Sequence, residues 1–521
     1  MKKRVLSLLM ALALCFTMLP TAALAQQTGA ADVYTTGEDT AVQGKRAVRA
    51  AQALIDALPD EVTADNAEEI AAQLANLNET LAALTEEQLA ALDMARYEAL
   101  CAALAAQVSL TAERGGEHAD HPICGDASCN KHGASLTDWV GVSELSDDME
   151  EGYYYLTGPV ALTSTWYPED GVVLCLNGYS ISMDVKNSNN DSTICVNGGV
   201  TFTLCDCQNK GTVTHGMNGA ARYTGSGVWV ENGNGAGKAN FVLYSGSISG
   251  NEYDNASIKF GAGVHLGANA SFTMHGGSIS GNKTAGYGGG VYVQAGTTSF
   301  TMTGGTITGN SAGHDGGGVY VKNGSFTMTG GTISGNTAGS GCNGGGVYMN
   351  SAPEVTMNGG SITGNTAANN GGGVYAFSGT FTMNDGTIAG NKATAENGGG
   401  VYANGSTAFT VKGGTIGGST AADANAAKYG GGVYVKNGAF TMSGGKVTGN
   451  GASKDGGGVR LDKGTFNMSG SAVISRNTAD GYGGGVDAND GSFTMSGGSI
   501  TGNTTTNESP NWSGGGGVCV R

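Results

Sequence analysis

Four residues between positions 121 and 132 have side chains and a spacing suited to metal chemistry. His121, Cys124, Cys129 and His132 form an H-x2-C-x4-C-x2-H string, and imidazole and thiolate are ligand types that zinc accepts. The compression of the string leaves little chain to wrap a tetrahedral ion. A Cys124–Cys129 disulfide and free thiols are therefore the alternative uses of the same residues. Apart from zinc here, no cofactor is expected. Cys175 and Cys195 each precede an apolar residue and Asn-Gly and lie 20 residues apart, with Cys205 and Cys207 nearby. That spacing predicts that Cys175 and Cys195 stack on adjacent turns of chain, packed as apolar side chains or bonded.

Hydrolysis of a glycosidic bond needs two carboxylates at a defined separation on one surface. The acidic residues of the second half, Asp315, Asp385, Asp455 and Asp487 among them, are instead scattered over turns, mostly beside glycines. His314 precedes Asp315, but no carboxylate partners recur near it, so it reads as a turn histidine and no catalytic residue is assigned. The most regular candidate for binding is aromatic. Tyr292, Tyr320, Tyr348, Tyr375, Tyr402 and Tyr434 recur at one position of a repeat, preceded by Trp229 and His265 and ended by Arg460 and Asp487. Such a column either stabilises itself by ring stacking or presents amphipathic rings to a glycan or a protein strand.

These residues sit on a repeat whose copies read Gly-Gly-Gly-Val-Tyr-Val, then Phe-Thr-Met, then Ile-Thr-Gly-Asn, as at 288–293, 300–302 and 307–310. Asn251, Asn282, Asn310, Asn336, Asn365 and Asn391 close successive copies at intervals of 31, 28, 26, 29 and 26 residues. Asn450, Asn477 and Asn503 continue the series, with Ser419 in place of one member. Short alternating segments, Gly-rich turns and a period of about 28 residues exclude the helical solenoids and predict a right-handed parallel β-helix. Alternation turns Val291, Val293, Phe300, Met302 and Ile307 inward and Tyr292, Thr301 and Thr308 outward. The asparagines are expected to form an internal amide ladder. Calcium at the turns is disfavoured because the short-period nonapeptide of calcium-binding β-rolls does not recur.

Upstream the texture changes. Residues 44–110 carry apolar side chains at helical spacing (Val48, Ala51, Leu54, Ile55; Ile70, Leu74, Leu77, Leu81), broken at Pro59. Thr85 with Gln88 forms a capping box before Leu89, Leu92 and Leu104. A small three-helix module is predicted there, after a linker over 26–43 and before a polar linker over 111–135. Irregular entry rungs follow over 136–240 and regular ones over 241–521, which stop part-way through a copy and predict a truncated gene product.

The basic residues at 2–4, the apolar run from Val5 and the small-residue site at Ala23-Leu24-Ala25 predict a signal peptide over 1–25. Cys15 follows Leu14 inside that run, which argues against lipidation. No other stretch is long and apolar enough to span a bilayer. The net charge of −17 belongs to the first 225 residues, since from Ser226 onward 14 basic residues face 14 acidic ones. Without a basic stripe, nucleic acid is not an expected partner.

The string Ile307-Thr308-Gly309-Asn310, Ala312, Gly316 to Val319 resembles the repeat of polymorphic outer membrane proteins and other pectin-lyase-like β-helix surface proteins, with Ile for the family's Phe. The resemblance covers roughly residues 240–521. It implies a secreted or cell-surface, non-catalytic adhesin or binding rod, with a glycan or a host or matrix protein as partner. The alternative class is a carbohydrate-active enzyme, a polysaccharide lyase or hydrolase. Short turns from Gly281 to Asn503 favour the rod, because an enzyme's cleft usually interrupts its rungs with long loops.

Overall fold

The computed structural model describes residues 37–59, the greater part of 70–100, and 139–521 apart from 184–191, 216–224, 234–236, 254–260 and 507–513. The chain divides into two compact units, residues 1–122 with 126–133, and 123–125 with 134–521.

In the first unit, helix α1 (Gly37–Asp56) begins inside the segment predicted as a linker. It ends just before Pro59, and the short helix α2 (Glu86–Leu89) follows the predicted capping box. There the Thr85 N–H donates to Gln88 Oε1 at 2.9 Å and the Gln88 N–H donates to Thr85 Oγ1 at 3.4 Å. Ala51, Ile55 and Leu58 share a buried cluster with Ile70, Leu74, Leu77 and Leu81. Leu54, predicted for the apolar face, is 44% exposed. The apolar stripe continues from Ile55 to Leu58, three residues on, which turns Leu54 off it. The bounds of α1 and α2 lie wholly among the described residues. Described positions within 70–81 and 95–100 are helical as well, and Leu104 of the predicted third helix lies outside the described residues.

The second unit is a parallel β-solenoid of about 11 turns. A regular rung contributes two segments to a 24-stranded sheet, one to a 13-stranded sheet and a two-residue one to a 10-stranded sheet. In one rung these are Val319–Val321, Ser325–Met328, Thr332–Ser334 and Thr337–Ala338. Rungs stack like upon like, Phe272 on Phe300 on Phe326 and Ile307 on Ile333 on Ile362. The residues predicted inward are fully buried in one continuous core, in which phenylalanine rings stack 4.8–5.0 Å apart along this part of the axis.

The amide ladder forms as the repeat predicts. Asn310 Nδ2 donates to Ile279 O and to Asn336 Oδ1, both at 2.9 Å, and the Asn310 N–H donates to the same Oδ1 at 2.9 Å. Each buried amide therefore has both its N–H bonds and both its acceptor sites used. Two glycines make room for it. Gly309 turns the chain at φ +64°, and a Cβ on Gly318 would sit 3.0 Å from Asn336 Nδ2 and 2.6 Å from the next rung's carbonyl.

One member of the series is corrected. The position assigned to Ser419 is filled by Asn425, which accepts from Asn391 Nδ2 at 3.0 Å and donates to Asn450 Oδ1 at 2.9 Å. Asn391 and Asn425 are 34 residues apart against 26 for the pair before. The turns are thus not uniformly short, because this rung carries an extra loop containing the 3-10 turn Ala421–Asp423.

Candidate functional site

The tyrosine column lies where alternation places it, on outward positions of the large sheet. Tyr292, Tyr320, Tyr348, Tyr375, Tyr402 and Tyr434 stand in register, with centroids 4.7–5.2 Å apart and ring planes within 9° of parallel. Yet they are only 3–8% exposed. Each ring face is covered by the next ring, and the Gly-rich turn folds over the stack. A Cβ on Gly316, at φ +75°, would lie 2.8 Å from Tyr320 Cβ. Burial pushes the phenols of Tyr292 and Tyr375 up to about 12 and raises the other four as well. Of the two uses open to the column, ring stacking is the one the geometry shows, and the rings are too buried to form an exposed platform. They make a second buried cluster, and what they could offer a ligand is limited to ring edges and hydroxyls.

Trp229 and His265 continue the stack at one end, 3.8 Å apart. At the other end Arg460 and Asp487 pair, and Asp455 and Arg521 complete the network. Arg460 Nη1 lies 3.0 Å from Asp455 Oδ2, and Arg521 Nη2 lies 2.7 Å from the same oxygen.

A second polar column escaped the sequence reading. In four consecutive copies the residue just before the triple glycine is Asp315, Asn343, Asn370 and Asn397, whereas Tyr287, Tyr429 and Tyr482 hold that place in other copies. Asn343 Nδ2 donates to Asp315 Oδ1, Asn370 Nδ2 to Asn343 Oδ1 and Asn397 Nδ2 to Asn370 Oδ1, each at 3.0 Å. The signal was a short polar residue beside Gly-Gly-Gly in four consecutive copies of the repeat. Asp315 thus heads a structural ladder, and Asp455, which occupies the equivalent position five rungs on, joins the ion network. His314 is half-buried, 5.1 Å from the Tyr287 ring.

A further periodic feature is hydroxylic and half-buried, with Thr306 exposed. On the 13-stranded sheet, Ser278, Thr306, Thr332 and Ser361 form one column, and Ser280, Thr308, Ser334 and Thr363 form a parallel one, flanking the buried isoleucines. Within a strand the two hydroxyl-bearing residues stand roughly 6.6 Å apart, and successive rungs are about 4.8 Å apart. Some hydroxyls bond along the column, such as Thr332 to Ser361 at 3.0 Å.

Where this face meets the extra loop, an open cleft of about 370 Å³ is lined by Ser334, Thr363, Ala422 and Asp423 together with Gly335, Gly364, Ala389 and Gly390. The loop is fixed there because the Gly390 N–H donates to Asp423 O at 2.9 Å. The Thr420 hydroxyl donates to Asp423 Oδ2 at 2.7 Å. That bond and the Thr420 backbone N–H hold the Asp423 carboxyl below the usual carboxylate range. The cleft thus combines hydroxyls, small apolar groups and one ionised carboxylate.

His121, Cys124, Cys129 and His132 lie outside the described residues. The expected stacking of Cys175 on Cys195 is corrected. Cys175 stands in register with Cys205 and Cys195 with Trp229, because the entry rungs are longer than 20 residues. No helix among the described residues is long and apolar enough to cross a membrane. No family model, curated protein or solved structure matches the chain, so the resemblance to polymorphic outer membrane proteins rests on the quoted repeat residues.

Proposed function

We propose that this is a secreted or cell-surface binding rod that acts without catalysis and engages an extended polyhydroxylated ligand, a glycan, through its Ser/Thr face. The observation that carries this reading is the in-register lattice of hydroxyls on a rigid sheet, which meets a cleft at the extra loop. A flat, repeating array of donors and acceptors suits a ligand that repeats along its own length. Many weak contacts then add without a deep pocket.

The test is a glycan and host-matrix array probed with the full chain and with Ser334→Val/Thr363→Val, circular dichroism confirming the fold of both. Specific binding by the parent that weakens tenfold or more, about 1.4 kcal/mol, in a folded variant is expected. Binding unaffected by the pair removes this face as the site.

The extra loop also favours a second reading, a polysaccharide lyase or hydrolase, since it walls the cleft as an enzyme loop would. Asp423 is the one carboxylate among the cleft's lining residues, whereas glycoside hydrolysis uses two. New reducing ends or unsaturated products after incubation with polymeric uronates would put the enzyme first.

A further inference from the structure

The entry rungs bring three cysteines to one point. Leu174-Cys175-Leu176 stacks on Leu204-Cys205-Asp206 with Leu174 facing Leu204 and Cys175 facing Cys205. The leucines fill the core, so the cysteines point away from it, yet both are buried, at 0% and 1% exposure. Two residues on, the chain turns and returns the third thiol. The Cys207 N–H donates to Cys175 Sγ at 3.4 Å, and the Cys207 thiol donates to Asn177 Oδ1 at 3.4 Å. Donor atoms of Cys175, Cys207 and Asp206 all lie within 4.8 Å of one another, and Cys205 stands in register with Cys175 on the neighbouring rung.

The turn is held rigid by Asp206. Its Oδ1 accepts from the Gly178 N–H at 2.7 Å and the Gln208 N–H at 3.2 Å. Its Oδ2 accepts from the Lys210 N–H at 2.7 Å and the Gly211 N–H at 2.6 Å. Those four bonds occupy the carboxylate's acceptor sites, so Asp206 supplies negative charge and fixed geometry while sulfur supplies the ligands.

We propose that Cys175, Cys205 and Cys207 form a three-thiolate site for a thiophilic divalent cation of the zinc type, with the fourth position open to water on the half-buried Cys207 side. A tetrahedral ion with bonds of about 2.3 Å to sulfur sets neighbouring sulfurs roughly 3.8 Å apart, so Cys205, which lies outside the 4.8 Å group of Cys175, Cys207 and Asp206, must turn its thiol toward Cys207 to complete the set. Thiols packed this closely cannot ionise together unless a cation lies between them. Their hydrogen bonds to Cys175 and their burial already push the Cys205 and Cys207 thiols up from the ordinary value. Binding therefore breaks three S–H bonds, forms three metal–sulfur bonds and releases three protons to solvent, and uptake weakens steeply in acid.

The experiment uses the full chain, reduced and carrying Cys124→Ser/Cys129→Ser to remove the upstream thiols, with zinc alone as the probe. About one zinc per chain is expected, with about three protons released on binding. Cobalt in place of zinc should give a sulfur-to-metal charge-transfer band, a readout that needs no further variant. Cys207→Ser, checked for fold by circular dichroism, should lose the zinc and the band. Uptake below about a tenth of an equivalent by the folded, reduced chain overturns the site. So does zinc retained in full by Cys207→Ser, or a Cys175–Cys207 disulfide that forms in the presence of excess zinc.

Discussion

At the scale of single residues, the buried imidazoles set a pH dependence. His265 is fully buried between Trp229 and Tyr292, with Nε2 3.0 Å from Gln294 Oε1, and burial pushes its pKa down to about 3. His215 has its Nδ1 3.1 Å from the Thr193 hydroxyl and is pushed down to about 4. Both are neutral when folded, whereas an unfolded histidine takes up a proton near pH 6.5. Below that pH the unfolded chain binds more protons, so the stabilisation is complete above about pH 6.5 and is lost as pH falls toward 4 and then 3. The slope is up to about 1.4 kcal/mol per pH unit for each histidine. Urea midpoints measured from pH 7 to pH 4 should fall for the parent and fall less steeply for His265→Gln. Equal slopes in the two proteins would show that His265 does not carry the effect.

At the scale of elements, the solenoid carries two kinds of internal stack, apolar rings inside the coil and tyrosines under the Gly-rich turn. A column on the outward side of a sheet is ordinarily tolerant of change, but this one is core. Tyr348→Ser/Tyr375→Ser removes two adjacent rings and strips Tyr320 and Tyr402 of a partner each. Large-to-small changes at buried aromatic sites cost on the order of 3 kcal/mol each, so the double variant should unfold at markedly lower urea. Tyr348→Phe keeps the ring and should stay within about 1.5 kcal/mol of the parent. A double variant with the parent's midpoint would return the column to the surface. The same logic explains the Gly-Gly-Gly motif: the first glycine bends the turn over a tyrosine and the third lies against an asparagine amide.

At the scale of the molecule, stability in a stacked coil is the sum of what each rung contributes and what it gains from its neighbours. Excision of residues 316–343 joins Asp315 to Gly344 and removes one whole period. Tyr292 then meets Tyr348 and Asn310 meets Asn365, so every ladder closes again. The shortened chain should keep a β-rich circular dichroism spectrum and a cooperative transition. Excision of 316–329, half a period, sets unlike segments upon one another and should leave the downstream rungs unfolded and sensitive to protease. If both deletions behave alike, register between rungs is not what holds the coil.

Much of this was legible in the sequence because a solenoid repeats its local requirements. Period-two alternation placed Val291, Phe300, Met302 and Ile307 in the core. The recurring Gly-Asn pair announced the amide ladder, and Thr85 with Gln88 marked the helix start. Only tertiary structure decided the rest. Alternation tells which side of a strand a residue faces but not what folds over it, so the tyrosines read as exposed and are buried. A ladder is defined by position in space, so Asn425 joins it despite an eight-residue loop that spacing alone could not see through. In the irregular entry rungs the length of each turn sets which residues stack, and that length brings Cys175 to Cys205 and Cys207. Sequence determined the repeating unit, and the stacking of one unit on the next determined which of its groups meet water, a ligand or one another.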